Sequence, residues 1–206
     1  MDYWRTVVYK ELGVGLYVIG CITQRREYLM DYTAEGFDAV NEFSLSANTD
    51  SLNDITDKKT YVCENFMGKV YDCPEFVNSK KYFKYNGNRL FRAVVTGFDN
   101  TARKTNKGII FDGASPGLYG KWLTDVIVDT QRRKTLDEKL VFIFAWNEWA
   151  EGAYLEPDLK FKHGYLEETA NAIKMARNIL KINIKLIGGG RLISANNLEF
   201  YFEVVA

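Results

Sequence analysis

Two carboxylates set three residues apart are the part of this chain best suited to chemistry. Residues 146–157 read Trp-Asn-Glu-Trp-Ala-Glu-Gly-Ala-Tyr-Leu-Glu-Pro, so Glu148 and Glu151 are interleaved with Trp146, Asn147 and Trp149. An indole beside a carboxylate removes water and favours the neutral acid, and a second carboxylate nearby drives the two titrations apart. One acid and one base near neutral pH is the pair that acetal chemistry at a sugar requires. The flat faces of Trp146 and Trp149 suit a sugar ring. Composition alone leaves a second reading equally open, a solvated acidic loop anchored by two tryptophans.

The element that must position this stretch comes immediately before it. Residues 140–145, Leu-Val-Phe-Ile-Phe-Ala, carry no polar side chain and read as a strand buried on both faces. The acidic loop therefore lies where a buried strand ends, the place where parallel α/β folds carry their functional loops. A second such junction occurs earlier. Residues 90–96 form a strand pattern that runs into Gly97, Phe98, Asp99, Asn100, Thr101, Ala102 and Arg103. Asp99 and Arg103 fit either sugar hydroxyls and an anionic donor group or an Asp–Arg pair that pins the loop.

These two blocks together resemble the WbsX-type glycosyltransferase family, which is related to the endo-α-mannosidases of glycoside hydrolase family 99. The resemblance rests on Trp146–Gly152, on Leu155 to Asp158, on Gly164 to Glu167, on Gly97 to Arg103, and on Ser115 to Tyr119 with Trp122 and Leu123. It extends over about residues 1–180, more weakly before residue 90. Phe98 stands where the family usually has tryptophan. The resemblance implies that Glu148 acts as a base on a sugar 2-hydroxyl and Glu151 as general acid/base at the glycosidic oxygen, through a 1,2-anhydro sugar. It also implies that Trp146, Asn147, Trp149, Asp99, Asn100, Arg103 and Glu156 hold the glycan or sugar donor.

Further elements follow from periodicity. Trp4, Val7, Val8 and Leu12 share one helical face, which Gly13 ends. Residues 16–20 and 37–43 read as strands, with Glu42 at the end of the second, either solvated or lining the same pocket as Glu148. Residues 44–60 read as a surface loop, and 61–83 as a helix broken near Pro74. Ser115 and Pro116 open a helix whose buried stripe includes Leu118, Tyr119, Trp122, Leu123, Val126 and Ile127. A last amphipathic helix covers about 164–182, with His163 a surface or capping residue before it. The alternation predicts an α/β fold with parallel strands and about four β/α units, against the eight of a full barrel. The family fold is a (β/α)8 barrel, so the resemblance implies the C-terminal half of a TIM-like barrel over residues 1–182, with 183–206 as a tail of unassigned structure. Open strand edges call for a second half-barrel or a homodimer as partner.

Composition narrows the function classes. With 27 basic and 27 acidic residues the net charge is zero, which argues against nucleic acid and polybasic membrane contacts. Three cysteines and one histidine, at no ligand spacing, predict neither a metal site nor a disulfide framework, and no cofactor is expected. No apolar run is long enough for a membrane span, and no signal-peptide pattern opens the sequence, so a cytoplasmic location is expected. The expected function is a carbohydrate-active enzyme, a WbsX-like glycosyltransferase of cell-surface polysaccharide synthesis. The alternatives are a retaining endo-α-mannosidase-type hydrolase and an inactive sugar-binding or truncated half-barrel.

Overall fold

The computed structural model describes residues 1–23, 30–43, 45, 48–60, 65–85, 87, 89–133 and 139–180, together with the backbone of 199–202. A parallel sheet of five strands organises it. In chain order these are β1 (Ile19–Ile22), β2 (Ala39–Glu42), β4 (Leu90–Val95), β6 (Leu140–Phe144) and β9 (Glu199–Phe202), and they lie side by side in that order. Every adjacent pair is parallel. A separate parallel pair joins β3 (Lys69–Asp72) to β5 (Ile109–Asp112). A short antiparallel hairpin joins β7 (Asn147–Glu148) to β8 (Ala153–Tyr154). The helices are α1 (Asp2–Leu12), α2 (Cys73–Asn78), α3 (Thr101–Lys104), α4 (Pro116–Arg132) and α5 (Gly164–Leu180).

Parallel strands need crossovers, and α4 makes the one between β4 and β6. Its buried residues Tyr119, Trp122, Leu123, Val126, Ile127 and Thr130 recur at helical spacing. All of these but Thr130 meet Val94 of β4, Val141 and Ile143 of β6, and Ala172, Ile173 and Ala176 of α5 in one core. Leu140 of β6 joins Ala39 and Phe91 in a different cluster, packed by Phe142, which is why this strand needs apolar residues on both faces. Helices α4 and α5 approach closely at Gly120, where an added Cβ would fall 2.3 Å from a Glu168 carboxylate oxygen.

Several expectations needed correction. Residues 65–83 are not a helix broken near Pro74. Lys69–Asp72 is a strand, and Pro74 lies in the first turn of α2, where its missing N–H costs nothing. Asp72 caps that helix by accepting from the Glu75 amide at 2.8 Å. Residues 48–58 lie at the surface, with Asp50, Asp54, Asp57 and Lys58 exposed, but are tied down at intervals: Ser51 and Ile55 are buried, the Ile55 amide donates to Val70 O, and the Asp72 amide donates to Asn53 O. β5 was not foreseen, because four residues between glycines are too short a pattern. β1 begins at Ile19, not Leu16, because the Asp38 carboxylate takes the Val18 amide at 2.6 Å in place of a ladder partner.

Glu42 is not solvated. It is 1% exposed and pairs with the equally buried Arg92 at 3.1 Å. Arg92 also donates to the carbonyls of Tyr82 and Tyr85 and lies over the Phe83 ring, so both terminal nitrogens of its guanidinium are hydrogen-bonded. Helix α1 ends at Gly13 (φ 68°) as expected, yet buries none of its residues, and Trp4 and Leu12 are exposed. Expectations for Tyr28, Leu29, Tyr61, Val62, Lys134 and the glycine run 188–190 fall outside the described residues.

Candidate active site

β4 and β6 are neighbours in register, Val95 opposite Phe144, so the loops that follow them emerge side by side. The first loop, 96–100, leads into α3. The second, 145–157, contains the β7–β8 hairpin with a tight turn at Trp149–Glu151. The Asp99 amide donates to Glu151 O at 2.8 Å, joining the loops by their backbones. Gly152, at φ 61°, permits this approach: a Cβ there would lie 3.0 Å from the Asp99 nitrogen.

The hairpin places the two glutamates at opposite ends of the turn. Glu148 is half-buried, and its carboxylate has no hydrogen-bond partner among the described residues. Glu151 is ion-paired with Arg103 of α3. Arg103 thus reaches across from the first loop to the second. Asp99, expected to pair with Arg103 if that loop were pinned by an Asp–Arg bridge, instead accepts from the Thr101 amide at 3.0 Å and the Thr101 hydroxyl at 2.6 Å. Both bonds lie within the turn that leads into α3.

The remaining sequence candidates divide. Asn147 lies next to Glu148 with its side-chain oxygen buried and without a partner among the described residues. Trp149 is 47% exposed, stacks on Tyr154 at 3.8 Å with a 14° interplanar angle, and donates its indole N–H to Glu156 at 2.6 Å. One indole face is therefore covered and its edge is tethered. Trp146 is different: it packs against the main core, and its carbonyl accepts the Leu155 and Glu156 amides. Asn100 is buried and engaged with β5, its side-chain oxygen accepting the Ile109 amide at 2.7 Å. Among the described residues the structure brings Glu148, Glu151, Arg103, Asn147, Trp149 and Glu156 to one hairpin and the helix beside it. His163 is exposed, directly before α5.

Sequence reasoning missed a supporting pair. The Tyr154 hydroxyl donates to Asp158 at 2.9 Å, and the same carboxylate accepts the Phe161 amide. Burial, reinforced by Asp158, pushes the Tyr154 phenol up to about 12, so it remains a donor at any ordinary pH. Asp158 is held below the usual carboxylate range: burial opposes the shift, but the Phe161 amide and the Tyr154 hydroxyl outweigh it. No sequence spacing singles out Tyr154; only the hairpin puts it under Trp149.

No group of three or more His, Cys, Asp and Glu side chains able to hold a metal occurs among the described residues. No described helix is long and apolar enough to cross a membrane. A parallel α/β domain with an acidic hairpin and an arginine-bearing turn at adjoining strand ends is the class the fold defines. The family model for glycosyltransferase WbsX matches residues 1–169, and the chain belongs to that family. It is 34% identical over 144 residues to the uncharacterized protein WxcX of Xanthomonas campestris pv. campestris strain B100, covering 70% of this chain and 20% of that protein. WxcX from a second strain of the pathovar matches to the same extent. The chain thus spans about a fifth of the length of these relatives. No solved structure matches it.

Proposed function

We propose that this chain is the acid/base-bearing part of a sugar-transferring enzyme, a glycosyltransferase of cell-surface polysaccharide synthesis working in the cytoplasm. The observation that carries the reading is the hairpin itself: Glu148 and the buried Asn147 oxygen side by side, both without a partner among the described residues, with Glu151 ion-paired to Arg103 across the turn. In this reading Glu148 is the base at the sugar 2-hydroxyl, and Glu151 serves the glycosidic oxygen as acid and then base. Arg103 holds Glu151 in place and, when a donor binds, is the nearest fork for its anionic group. Trp149, braced on Tyr154, is the stacking face for the sugar ring. Asn147 hydrogen-bonds a hydroxyl, and Asp99, Asn100, Glu156 and Trp146 shape the loops that bear these groups.

We read residues 1–182 as the C-terminal half of a (β/α)8 barrel and 183–206 as a tail that contributes β9. A barrel needs eight strands, and the five-stranded sheet shared by these segments leaves room for a second half-barrel or a second copy. The alternatives within the same site are retaining hydrolysis of a mannoside and sugar binding without turnover. Calorimetric titration with nucleotide sugars, alongside a glycoside hydrolysis assay, separates them. Transfer predicts nucleotide-dependent heat that Arg103→Ala weakens, and turnover lost in Glu151→Gln. Full activity in Glu151→Gln overturns the assignment.

A further inference from the structure

A small apolar notch lies at the base of the two loops. Phe43 follows β2, Val95 ends β4 and Phe144 ends β6, with Leu45 and Phe98 closing the sides. Register pairs Val95 with Phe144, one step beyond the Val94–Ile143 pair, so these two side chains share the sheet face opposite to that pair. The Phe43 and Phe144 rings meet edge to face at 4.7 Å. The notch is close to the acidic pair along the chain: Phe98 adjoins Asp99, whose amide is bonded to Glu151 O, and Phe144 precedes Trp146 and Glu148 by a few residues.

Its size and lining define what it accepts. The space free of protein atoms, open solvent at its mouth included, is about 190 Å³, and a water-sized sphere fits within it with little freedom to move. That is room for about one water or one methyl group. A buried water needs two or more polar partners, and all five lining side chains are hydrocarbon. A hydroxymethyl arm pushed into the notch would lose the hydration of its hydroxyl without a side-chain partner among the described residues that line it. A methyl group loses nothing of that kind and gains contact with the aromatic and aliphatic walls.

We infer that this notch is a specificity pocket for a methyl group carried by the sugar, so that the site prefers a 6-deoxyhexose to the parent hexose. The inference rests on the reading of the hairpin as a sugar site and names the sugar class it takes. An N-acetyl group also ends in a methyl, but its amide needs partners that the lining side chains do not provide.

The test is a titration of the full chain, by calorimetry and saturation-transfer NMR, with matched methyl glycosides: L-fucose against L-galactose, L-rhamnose against L-mannose, and N-acetylglucosamine against glucose. The 6-deoxy member of the first two pairs should bind about tenfold more tightly, the scale of discrimination an apolar pocket exerts against an added hydroxyl. Its C6 methyl protons should receive the strongest saturation. Phe98→Trp, at a half-exposed position that tolerates bulk, should fill the notch and bring each pair to parity, whereas Glu148→Gln should leave the preference in place. Equal affinities within the first two pairs, a preference confined to the acetamido pair, or a preference that survives Phe98→Trp would overturn the inference while leaving the sugar site standing. No binding of any glycoside would overturn both.

Discussion

Gly152→Ala tests whether one backbone contact holds the two site loops together. Gly152 sits in the left-handed region, at φ 61° and ψ 24°. A residue with a Cβ costs roughly 1–2 kcal/mol there. The new Cβ would also lie 3.0 Å from the Asp99 nitrogen, 3.2 Å from its carbonyl oxygen and 3.3 Å from its Cβ. The first two are main-chain atoms that cannot rotate aside, so the 96–100 loop must retreat. Retreat lengthens the 2.8 Å bond from the Asp99 amide to Glu151 O. Losing it adds about 0.5–1.5 kcal/mol. The sum is about 1.5–3.5 kcal/mol, or about 3–14 °C in Tm for a domain of this size. Urea unfolding with calorimetry measures the total, and hydrogen exchange at the Asp99 amide measures the local part. Gly117→Ala is the control, because nothing lies within 4 Å of a Cβ built in that first turn of α4. It should be neutral or stabilising by up to about 1 kcal/mol. A Gly152→Ala protein as stable as the parent, with Asp99 protection unchanged, would refute the account of the loop junction.

Three further outcomes are expected. Arg92→Leu removes the buried ion pair to Glu42 and should cost about 3–5 kcal/mol in urea unfolding, most of it recovered by adding Glu42→Leu. Asp54 is held down to about 2, first by the Lys69 hydrogen bond and then by the Thr56 hydroxyl and amide. Its folded value lies below the unfolded value of about 3.9, so its contribution is present above pH ~4 and is lost as pH falls towards 2. Because the pair is solvent-exposed the contribution is small, so carboxyl-carbon NMR is the measurement: a midpoint near 2, moving back up in Lys69→Met. Burial, followed by Asp72 and Asp112, pushes the Cys73 thiol up to about 12, so iodoacetamide at neutral pH should modify exposed Cys21 in the folded chain and leave Cys73 untouched until unfolding.

Much of the core of this fold was legible because its signals are local and repeated. The stripe from Tyr119 to Ile127 identified α4 and made Trp122 structural, as its burial bears out. The unbroken apolar run at Leu140 identified β6, and Gly13 marked the end of α1. The readings that failed depended on pairing. The Val70 segment carries aromatics at spacings that fit a helix, and it became a strand because β5 was available to pair with it. Glu42 looked like a strand-end glutamate in water until Arg92, fifty residues away, was found beside it. α1 has an apolar face that periodicity assigns to a core, yet none of its residues is buried.

The same division holds at the site. Residue types and spacing by themselves determined that Glu148, Glu151 and their tryptophans follow a buried strand, and that Asp99 and Arg103 follow another, because strand ends and loop composition are properties of contiguous chain. Which groups meet was decided by the tertiary structure. Parallel pairing of β4 with β6 puts the two loops next to each other, and Gly152 lets their backbones touch. That contact hands Arg103 to Glu151 rather than to Asp99 and leaves Glu148 without a partner among the described residues. The hairpin slides Tyr154 beneath Trp149. Such choices turn on distances between residues far apart in sequence, where a shift of one ångström exchanges one hydrogen-bond partner for another, and no local pattern in the chain encodes them.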